Sequence, residues 1–421
     1  MLTLDECIKI AMDNNIDLKR ARNNSLIAKS NRFQALMNFL PNVSGQIDFT
    51  QINRSTFDAV SEQLVTNFRT SDPSINANFL IFNGFGNHYN RKATEQALLA
   101  TESGIEEQKQ SVKSAILGSY LSVILDKENI KIAEQRIDLL EAQLSREQKR
   151  LSVGVGNLEQ VYNFRSQLAN EKLRLVNLRN TLKTDKLTLI QSLQLDVTED
   201  IEFAAYELQS DEVLLETEPF KDVYNATVNY SPGLKRAHAN AISSKYNFKT
   251  TRASMFPTLG AFARYGSRYS SLAAEDIDGQ LNAISYIDQV SVHKMQFYGL
   301  NLSIPIFNNL INRNNTQVAK INMYNAELDL KQAELNVTNS VQQVYLDLIS
   351  AQETYKAAQE NLVSLNQSYE FVNTRYRNGN TDFYTYLESL NNKNRAEIEL
   401  INARYSIIFR KKILDVFRGL N

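Results

Sequence analysis

The 421-residue sequence contains few of the residues that break secondary structure, with only six prolines and fourteen glycines. Because these residues mark turns and chain reversals, their scarcity predicts few turns and long regular elements. A single cysteine, Cys7, excludes an intramolecular disulfide framework and a cysteine-based zinc site. Cys7 shares one face of an amino-terminal helical pattern with Leu4, Ile8 and Ala11, so we expect it to be buried.

Neither sign of charge prevails, since 46 lysines and arginines are matched by 47 aspartates and glutamates. This balance gives no electrostatic reason to expect nucleic acid as a partner. No run of about 18 apolar residues occurs. The most apolar window, Ser114–Leu125, has the length of a buried helix segment. We therefore predict no transmembrane helix, and we expect that any secretory leader has already been removed.

Signatures of catalysis and cofactor binding are lacking as well. The three histidines, His88, His238 and His293, are scattered and have no second ligand at metal-binding spacing. The segments "GFGN" and "GVGN" lack the third glycine of a dinucleotide-binding fingerprint. We accordingly predict that the protein is not an enzyme and that it has no catalytic residue, metal or cofactor.

The sequence contains a large internal repeat, which occurs twice. The tetrapeptide "LKRA" at Leu18 recurs at Leu234, 216 positions later, whereas Arg150 and Gly154 recur as Arg375 and Gly379, 225 positions later. The offset is nine residues larger in the later part of the repeat, which predicts a longer loop in the second repeat. We place the first repeat at residues 1–194, an acidic linker or equatorial segment at 195–219, and the second repeat at 220–421.

Each repeat is predicted to consist of a helix, two strands and two very long helices. Alternation of apolar and polar residues predicts the strands, at about 42–53, 76–85, 258–266 and 299–307. Each strand is near the roughly 9 to 11 residues that cross a membrane as a tilted strand. The polar segments between paired strands are expected to be exposed loops.

Two proline-free runs of 67 residues follow the strands, at Asn87–Val153 and Asn312–Asn378. Apolar residues recur in them at spacings of three and four, the pattern of a coiled-coil seam. A continuous helix of this length would be on the order of 100 Å long. Gly154 and Gly379, which immediately follow the runs, therefore predict hairpin tips at which each helix turns back antiparallel to a partner.

These parts fit two architectures. Strands in lipid cannot leave open edges, and four strands are too few to close a barrel, so a membrane protein would need several chains. The alternative is a soluble or peripheral coiled-coil scaffold or adaptor with small hairpins. The polar strand positions fit either the lumen of a channel or the solvated face of a sheet; they are Ser44, Gln46, Asp48, Asn301 and Ser303. The aromatic residues near strand ends fit either a membrane-interface girdle or a core; they are Phe49, Phe82, Tyr265, Tyr298 and Phe307.

Several short motifs, in this order and spacing, resemble the TolC family of outer-membrane efflux factors over nearly the whole chain. They are "TLDECIKIAMDNN", two "LKRA" segments each followed by a proline, "FNGFGN", "IPIFNN", "RLSVG" and "RYRNG". The resemblance implies a mainly α fold with a small β part, in which a duplicated unit forms long antiparallel coiled-coil helices. It also implies four membrane strands per chain, a homotrimer with a twelve-stranded β-barrel, and a helical body in the periplasm.

The function implied by the resemblance is that of an outer-membrane exit duct in a tripartite efflux pump or a type I secretion system. The implied partners are a periplasmic adaptor, an inner-membrane transporter of RND, ABC or MFS type, and outer-membrane lipid. The implied docking surface is formed by the two tips. Its candidate residues are Arg150, Gly154, Gly156, Arg375, Gly379 and Asn380.

The resemblance further implies a gate at the tips. Tyr376 and Glu388 match the family's tyrosine and second acid in the second tip, whereas Thr381 replaces an arginine and Thr385 replaces the first acid. A ring of three Glu388 carboxylates would attract cations, although a solvated helix charge gives the same pattern.

The family's acid of the first tip falls on Gln160, and Glu159 lies beside it. The gate candidates are therefore Glu388, Thr385, Tyr376, Glu159 and Gln160. Because Thr381 and Thr385 replace the family's arginine and first acid, the resemblance does not imply that the family's closing network of arginine and aspartate is intact in this chain.

Overall fold

The computed structural model describes residues 1–53, 56–58, 63–65, 67–196, 201–205, 218–277 and 280–420. It is 72% helix and 13% strand, which confirms the predicted mainly α fold with a small β part. The helices are α1 (Leu4–Asn14), α2 (Ile16–Met37), α3 (Gly86–Ser152), α4 (Leu158–Leu193), α5 (Phe220–Tyr230), α6 (Pro232–Ala253), α7 (Tyr286–Val292), α8 (Ile311–Arg377) and α9 (Phe383–Arg418).

Among the described strands, three have nine or ten residues and the others have two to five. They are β1 (Asn42–Gln46), β2 (Phe49–Ile52), β3 (Thr56–Asp58), β4 (Gln63–Val65), β5 (Phe68–Ser71), β6 (Ser74–Asn83), β7 (Thr258–Gly266), β8 (Tyr269–Ser270), β9 (Ala274–Ile277), β10 (Gln280–Ala283) and β11 (Met295–Ser303). Among the residues described, we find no helix that combines the length and the apolar character needed to pass through a bilayer.

The chain forms two compact units. The first comprises Met1–Asn24, Glu102–Arg236 and Lys331–Asn421, and the second comprises Ser25–Thr101 and Ala237–Leu330. Each unit therefore draws segments from both sequence repeats. The compact units are thus a different division of the chain from the predicted sequence repeats, since α3 and α8 each contribute residues to both units.

The single helix predicted at the start of each repeat is two helices in the structure. Asn15 separates α1 from α2, and its side-chain Oδ1 accepts a hydrogen bond from Leu18 N at 2.9 Å. At the equivalent position 216 residues later, Ser231 Oγ accepts from Leu234 N at 3.3 Å, between α5 and α6. Side chains that bond to the backbone in this way cap a new helix, so the same local interaction divides both repeats.

Strands β1, β6, β7 and β11 form an antiparallel four-stranded sheet in that order. The register aligns Val43, Ala77, Ala263 and Tyr298 in one row across the sheet. The neighbouring row, on the opposite face because side chains alternate along a strand, contains Ser44, Asn76, Arg264 and Phe297. The sheet thus has one mainly apolar face and one more polar face, on which Phe262 and Phe297 also lie. Its two edges are β1 and β11.

Two predicted strands differ from those observed. The strand predicted at 299–307 lies at Met295–Ser303, because Pro305 has no backbone N–H for a ladder. The strand predicted at 42–53 is divided, since β1 ends at Gln46 and β2 pairs with β5 in another sheet. At the break, Gln46 Nε2 donates to the two Asp48 carboxylate oxygens at 3.0 and 2.9 Å.

The other two strands lie near their predicted places. The strand predicted at 76–85 is β6, Ser74–Asn83, which ends two residues early because Gly84 turns the chain with a φ of +64°. The strand predicted at 258–266 coincides with β7.

The segments predicted as loops contain further structure in their described parts, including β5, β8 and the short helix α7. Gln289 of α7 is only 2% exposed. Its Nε2 donates to the carbonyls of Ser270 and Ile284, both at 3.0 Å, and its Oε1 accepts from Ser270 N at 2.9 Å. Because all these groups are satisfied away from water, α7 is fixed against β8. Because this segment is polar in sequence, the buried position of Gln289 could not be predicted from its composition.

The core of the first unit includes the predicted buried cysteine. Cys7 is fully buried beside Tyr120 and Leu189, and burial raises the pKa of its thiol to about 11. Phe203, from the equatorial segment, packs in the same cluster, and Tyr120 Oη donates to Ala204 O at 2.7 Å. The rest of the predicted linker, at 197–200 and 206–217, lies outside the described residues.

Candidate functional site: the two hairpin tips

The first hairpin tip reverses the chain between α3 and α4. Val155 N donates to Arg150 O at 3.0 Å and Gly154 N donates to Leu151 O at 3.1 Å. This pair of bonds is the Schellman motif, which satisfies the last carbonyls of a helix. Gly154 has a φ of +79°, a left-handed conformation that glycine adopts without steric strain.

The second tip, between α8 and α9, repeats this backbone arrangement. Asn380 N donates to Arg375 O at 2.8 Å, and Gly379 N donates to Tyr376 O at 3.1 Å. Gly379 has a φ of +77°. The helices that flank the two tips have equal lengths, since α3 and α8 both have 67 residues and α4 and α9 both have 36. The duplication therefore extends to the hydrogen bonds of the tips.

Gly156 meets a different requirement from Gly154. A Cβ atom at Gly156 would lie 2.7 Å from both the Arg150 carbonyl carbon and the Leu151 Cα. No such contact exists at Gly154, where nothing lies within 4 Å of the added atom. Gly156 thus allows the chain to pass close to the end of α3, whereas Gly154 and Gly379 leave open space at the tip surface.

The helices that leave the tips are capped by side chains at equivalent positions. Asn157 Oδ1 accepts from Glu159 N at 2.8 Å, and Asp382 Oδ1 accepts from Thr385 N at 2.9 Å. Thr385 Oγ1 also donates to Asp382 Oδ2 at 2.6 Å. The hydroxyl and amide of Thr385 lower the pKa of the Asp382 carboxyl. The gate candidate Thr385 therefore serves the cap of α9.

An aromatic cluster lies directly behind the tips in the first unit. The rings of Tyr376 and Tyr386 stack at 4.6 Å with an angle of 15°. Phe164 and Phe383 meet edge to face at 4.8 Å. Both pairs have favourable geometries for aromatic contacts, and Phe164 on α4 connects the first hairpin to the second. Gate candidate Tyr376 is thus a core residue whose hydroxyl reaches a polar site.

That polar site is centred on Glu147, which is only 1% exposed. Tyr376 Oη lies 3.5 Å from Glu147 Oε1 and 3.4 Å from Gln160 Oε1. Arg150 Nη1 lies 3.3 Å from both oxygens of Glu147. Burial raises the pKa of Tyr376 to about 12, and the Glu147 charge adds to the shift. The structure therefore brings together three predicted residues, Tyr376, Gln160 and Arg150, around a carboxylate that the sequence analysis missed.

The sequence contains a signal for the missed residue. The apolar seam of α3 runs through Leu140, Leu144 and Leu151, with spacings of three and four, and Glu147 occupies the seam position between the last two. An acid on a seam faces the partner helices and must be paired there. The α4 seam likewise contains Glu171, which lies 3.4 Å from Arg136 and 3.8 Å from Arg174.

The other gate and docking candidates have separate surroundings. Tyr384 Oη donates to Glu159 Oε1 at 2.6 Å, and this bond raises the pKa of Tyr384. Arg375 Nη2 donates to Asn380 O at 3.2 Å, so it stabilises its own tip. Glu388 is exposed, and none of the described residues makes an ion pair or hydrogen bond with it. Glu388 therefore remains available to solvent.

The described part of the chain contains no group of three or more histidine, cysteine, aspartate or glutamate residues placed to hold a metal ion. The tips thus offer hydrogen bonds, charge and a shaped surface. These properties suit binding and gating.

Comparisons with known proteins agree with this picture. The family model described as "outer membrane efflux protein" matches residues 7–193 and 223–411. The chain is 21% identical over 413 residues to the outer membrane efflux protein BepC of Brucella suis biovar 1 (strain 1330), a match that covers 96% of this chain and 83% of BepC.

Two solved structures show the same fold. The CusC structure has a TM-score of 0.83 at 17% identity, covering 99% of this chain and 92% of that one. The outer membrane protein VceC of Vibrio cholerae has a TM-score of 0.84 at 13% identity, covering 99% of this chain and 96% of that one.

Proposed function

Because this chain belongs to the outer membrane efflux protein family, we propose that it forms the exit duct of a tripartite efflux pump or a type I secretion system. The protein is an outer-membrane efflux channel, and the soluble scaffold alternative is not favoured. Its relatives are channel proteins of efflux systems rather than enzymes. Passive conduction needs a polar lumen, a closable constriction and a docking surface.

The observation that carries the proposal is the two-faced sheet with open edges. A lipid-facing sheet surface must be apolar and a lumen-facing surface polar, in the alternating pattern of membrane barrels. The row Val43, Ala77, Ala263, Tyr298 fits the lipid side. The opposite row, which is polar at Ser44, Asn76 and Arg264 and ends in Phe297, fits the lumen. Edge strands β1 and β11 would leave amides unpaired in lipid. Three copies would pair these edges and close a barrel of twelve strands.

Exposed apolar stripes on the helices also support association of copies. Within the second unit, α8 exposes Ile311, Val318, Ile321 and Leu328, which follow coiled-coil spacings of seven, three and seven. Such a stripe buries itself against another helix. No helix of the described second unit covers these side chains. A homotrimer would supply the missing neighbours.

The gate of the proposed duct lies at the tips. Tyr376 with Glu147 and Gln160, and Tyr384 with Glu159, join the second hairpin to the first. Breaking these contacts would let the hairpins separate. Glu388, which is free and exposed, would contribute a ring of three carboxylates that attracts cations. Its charges would be sensitive to salt, because exposed charges are screened by ions.

The tip surface is the proposed docking site for a periplasmic adaptor, which would connect the duct to an inner-membrane transporter of RND, ABC or MFS type. Gly154 and Gly379 leave space at the surface of the two turns, so a partner hairpin could approach the backbone closely. Arg150 and Arg375 are held by Glu147 and by Asn380 O, respectively. They therefore shape the turns, and the backbone and small residues provide the contact.

The proposal is tested by expressing the protein with an export leader, extracting the membranes with detergent and measuring the mass of the purified particle. We expect a trimer of the 48.0 kDa chain that conducts ions in a planar bilayer. A monodisperse monomer that needs no detergent and shows no conductance would refute the duct.

A further inference from the structure

The second unit contains an apolar cavity that is open to solvent and that has no part in the duct proposed above. Its volume is about 670 Å³, within the range of about 300 to 1,000 Å³ typical of ligand pockets. The floor includes Gly45, Ile75 and Tyr265, which lie in register on the apolar face of the sheet. Ile287 and Val290 of α7 form the opposite wall.

The wall formed by α7 is rigid, because the helix is fixed at several points. Gln289 makes three hydrogen bonds to backbone groups. Tyr286 Oη shares a hydrogen bond of 3.2 Å with Ser71 Oγ, and Ser267 Oγ donates to His293 O at 3.0 Å. A cavity held open in this way lowers the ordering cost of binding, because the protein wall is already in place.

Lys294 is the cationic residue that lines the cavity. The amide of Gln46, another lining residue, is bonded to the Asp48 carboxylate. The hydroxyls of Ser267 and Ser291, which also line it, donate to the carbonyls of His293 and Asp288. Lys294 is exposed, and no carboxylate of the described residues pairs with its ammonium group. The nearby Arg268 is neutralised by Asp72 at 3.0 Å. The cavity thus combines apolar walls with one available cation.

We propose that this cavity binds an acyl chain of a membrane phospholipid, whose phosphate is held by Lys294. The inference rests on the proposed function, in which the apolar face of the sheet contacts lipid, because the cavity floor is continuous with that face. Lipid tails match the aliphatic and aromatic walls. A lysine whose stem lies on an apolar surface keeps its ammonium at the headgroup level. Tyrosines such as Tyr265 occupy the same level in membrane barrels.

The chain has no tryptophan, so a single introduced tryptophan gives a fluorescence signal without background. Ile287→Trp would report on the cavity and Leu300→Trp on the open apolar face. Both replaced residues are exposed, so the variants should fold. The full-length trimers would be reconstituted in vesicles with bromine on the acyl chains, of either phosphatidylglycerol or phosphatidylcholine. Bromine quenches tryptophan on contact.

We expect Ile287→Trp to be quenched by both lipids, with an apparent affinity about fivefold higher for anionic phosphatidylglycerol, the effect of one lysine near a lipid surface. Adding Lys294→Gln should abolish that preference and leave the quenching of Leu300→Trp unchanged. Equal quenching at both sites without headgroup preference would show bulk lipid contact only and overturn the proposal.

Two further outcomes separate this proposal from that of the duct. If Leu300→Trp is quenched but Ile287→Trp is not, the cavity is filled by water or by a second copy of the chain, and the lipid site is wrong while the membrane face stands. If Leu300→Trp is not quenched, the apolar face does not contact lipid, and both proposals fail.

Discussion

Tyr384 donates a 2.6 Å hydrogen bond to Glu159, and these two residues are 225 positions apart, the same offset that relates the two tips. The contact therefore joins equivalent positions of the two repeats, each in the first turn of the helix that leaves its tip. The first turns of α4 and α9 therefore lie side by side in the first unit. Opening the proposed gate must break this contact or move both tips together.

The buried hydroxyl of Tyr376 should matter more for gating than the exposed hydroxyl of Tyr384. Tyr376→Phe keeps the stacking on Tyr386 and removes only the hydroxyl, whose single proton can bond to Glu147 or to Gln160. Such bonds contribute about 1 kcal/mol, so we expect about a fivefold rise in open probability in planar-bilayer recordings. Tyr384→Phe should have a smaller effect, because water replaces the lost bond at its exposed site.

Tyr324→Phe is the matched control for this series, since Tyr324 is an exposed tyrosine of the second unit. It should leave the open probability unchanged. Equal effects of Tyr376→Phe and Tyr324→Phe would contradict a gating role for the Tyr376 hydroxyl.

Replacement of Glu388 tests the proposed ring of charges. Glu388→Gln would remove three carboxylates from the trimer while preserving side-chain size. We expect the preference for cations, measured as the reversal potential in a salt gradient, to fall, and the difference from the unmodified channel to shrink as salt screens the charges. Glu360→Gln, an exposed acid on α8, is the control. Unchanged selectivity in Glu388→Gln would exclude this residue from the gate.

Asp126 should make stability depend on pH. Burial and the neighbouring Asp185 raise the pKa of the Asp126 carboxyl from 3.8 to about 6. Between these values the folded protein binds more protons than the unfolded chain, so stability falls as the pH rises through this window and stays lower above it. Asp126→Asn cannot ionise. It should therefore raise the melting temperature at about pH 8 and have little effect at about pH 4.

The gain should be modest, because Asp126 is only half-buried and solvent screens its charge. Asp138→Asn, an exposed position on the same helix, serves as control and should show no such pH-dependent difference. If Asp126→Asn and the unmodified protein have the same melting temperature at both pH values, the raised pKa of Asp126 beside Asp185 would be contradicted.

The left-handed glycine of the second tip predicts a local effect on backbone dynamics. Gly379 has a φ of +77° and open space around it, so Gly379→Ala suffers only the conformational penalty of about 1 to 2 kcal/mol. Hydrogen exchange of the Asn380 amide, which donates to Arg375 O at 2.8 Å, should become about 5- to 30-fold faster.

Gly379→Asn should be milder, since asparagine tolerates this conformation better. Gly104→Ala, inside α3, should slow exchange locally because alanine favours a helix. Exchange at Asn380 that does not change in Gly379→Ala would show that the tip is not strained by a side chain.

The spacing of apolar residues, prolines and glycines predicted the long helices and the two tips. These features depend on contacts between residues near each other in sequence, which a linear pattern records directly. Helix caps, the Schellman turns at Gly154 and Gly379, and the alternation of β7 belong to this class. The equivalent caps at Asn15 and Ser231 could also have been found, because both residues are strong capping types.

Only the tertiary structure decided which distant positions meet. Register across the sheet placed Val43, Ala77, Ala263 and Tyr298 in one row, because pairing between strands far apart in sequence is set by the whole sheet. Packing of the hairpins selected Glu147 as the partner of Tyr376, since a seam acid can be paired only when a neighbouring helix presents a donor. The sequence by itself determined the length, repetition and reversal of the elements. The faces they present, and the polar site and cavity between them, arose from long-range packing.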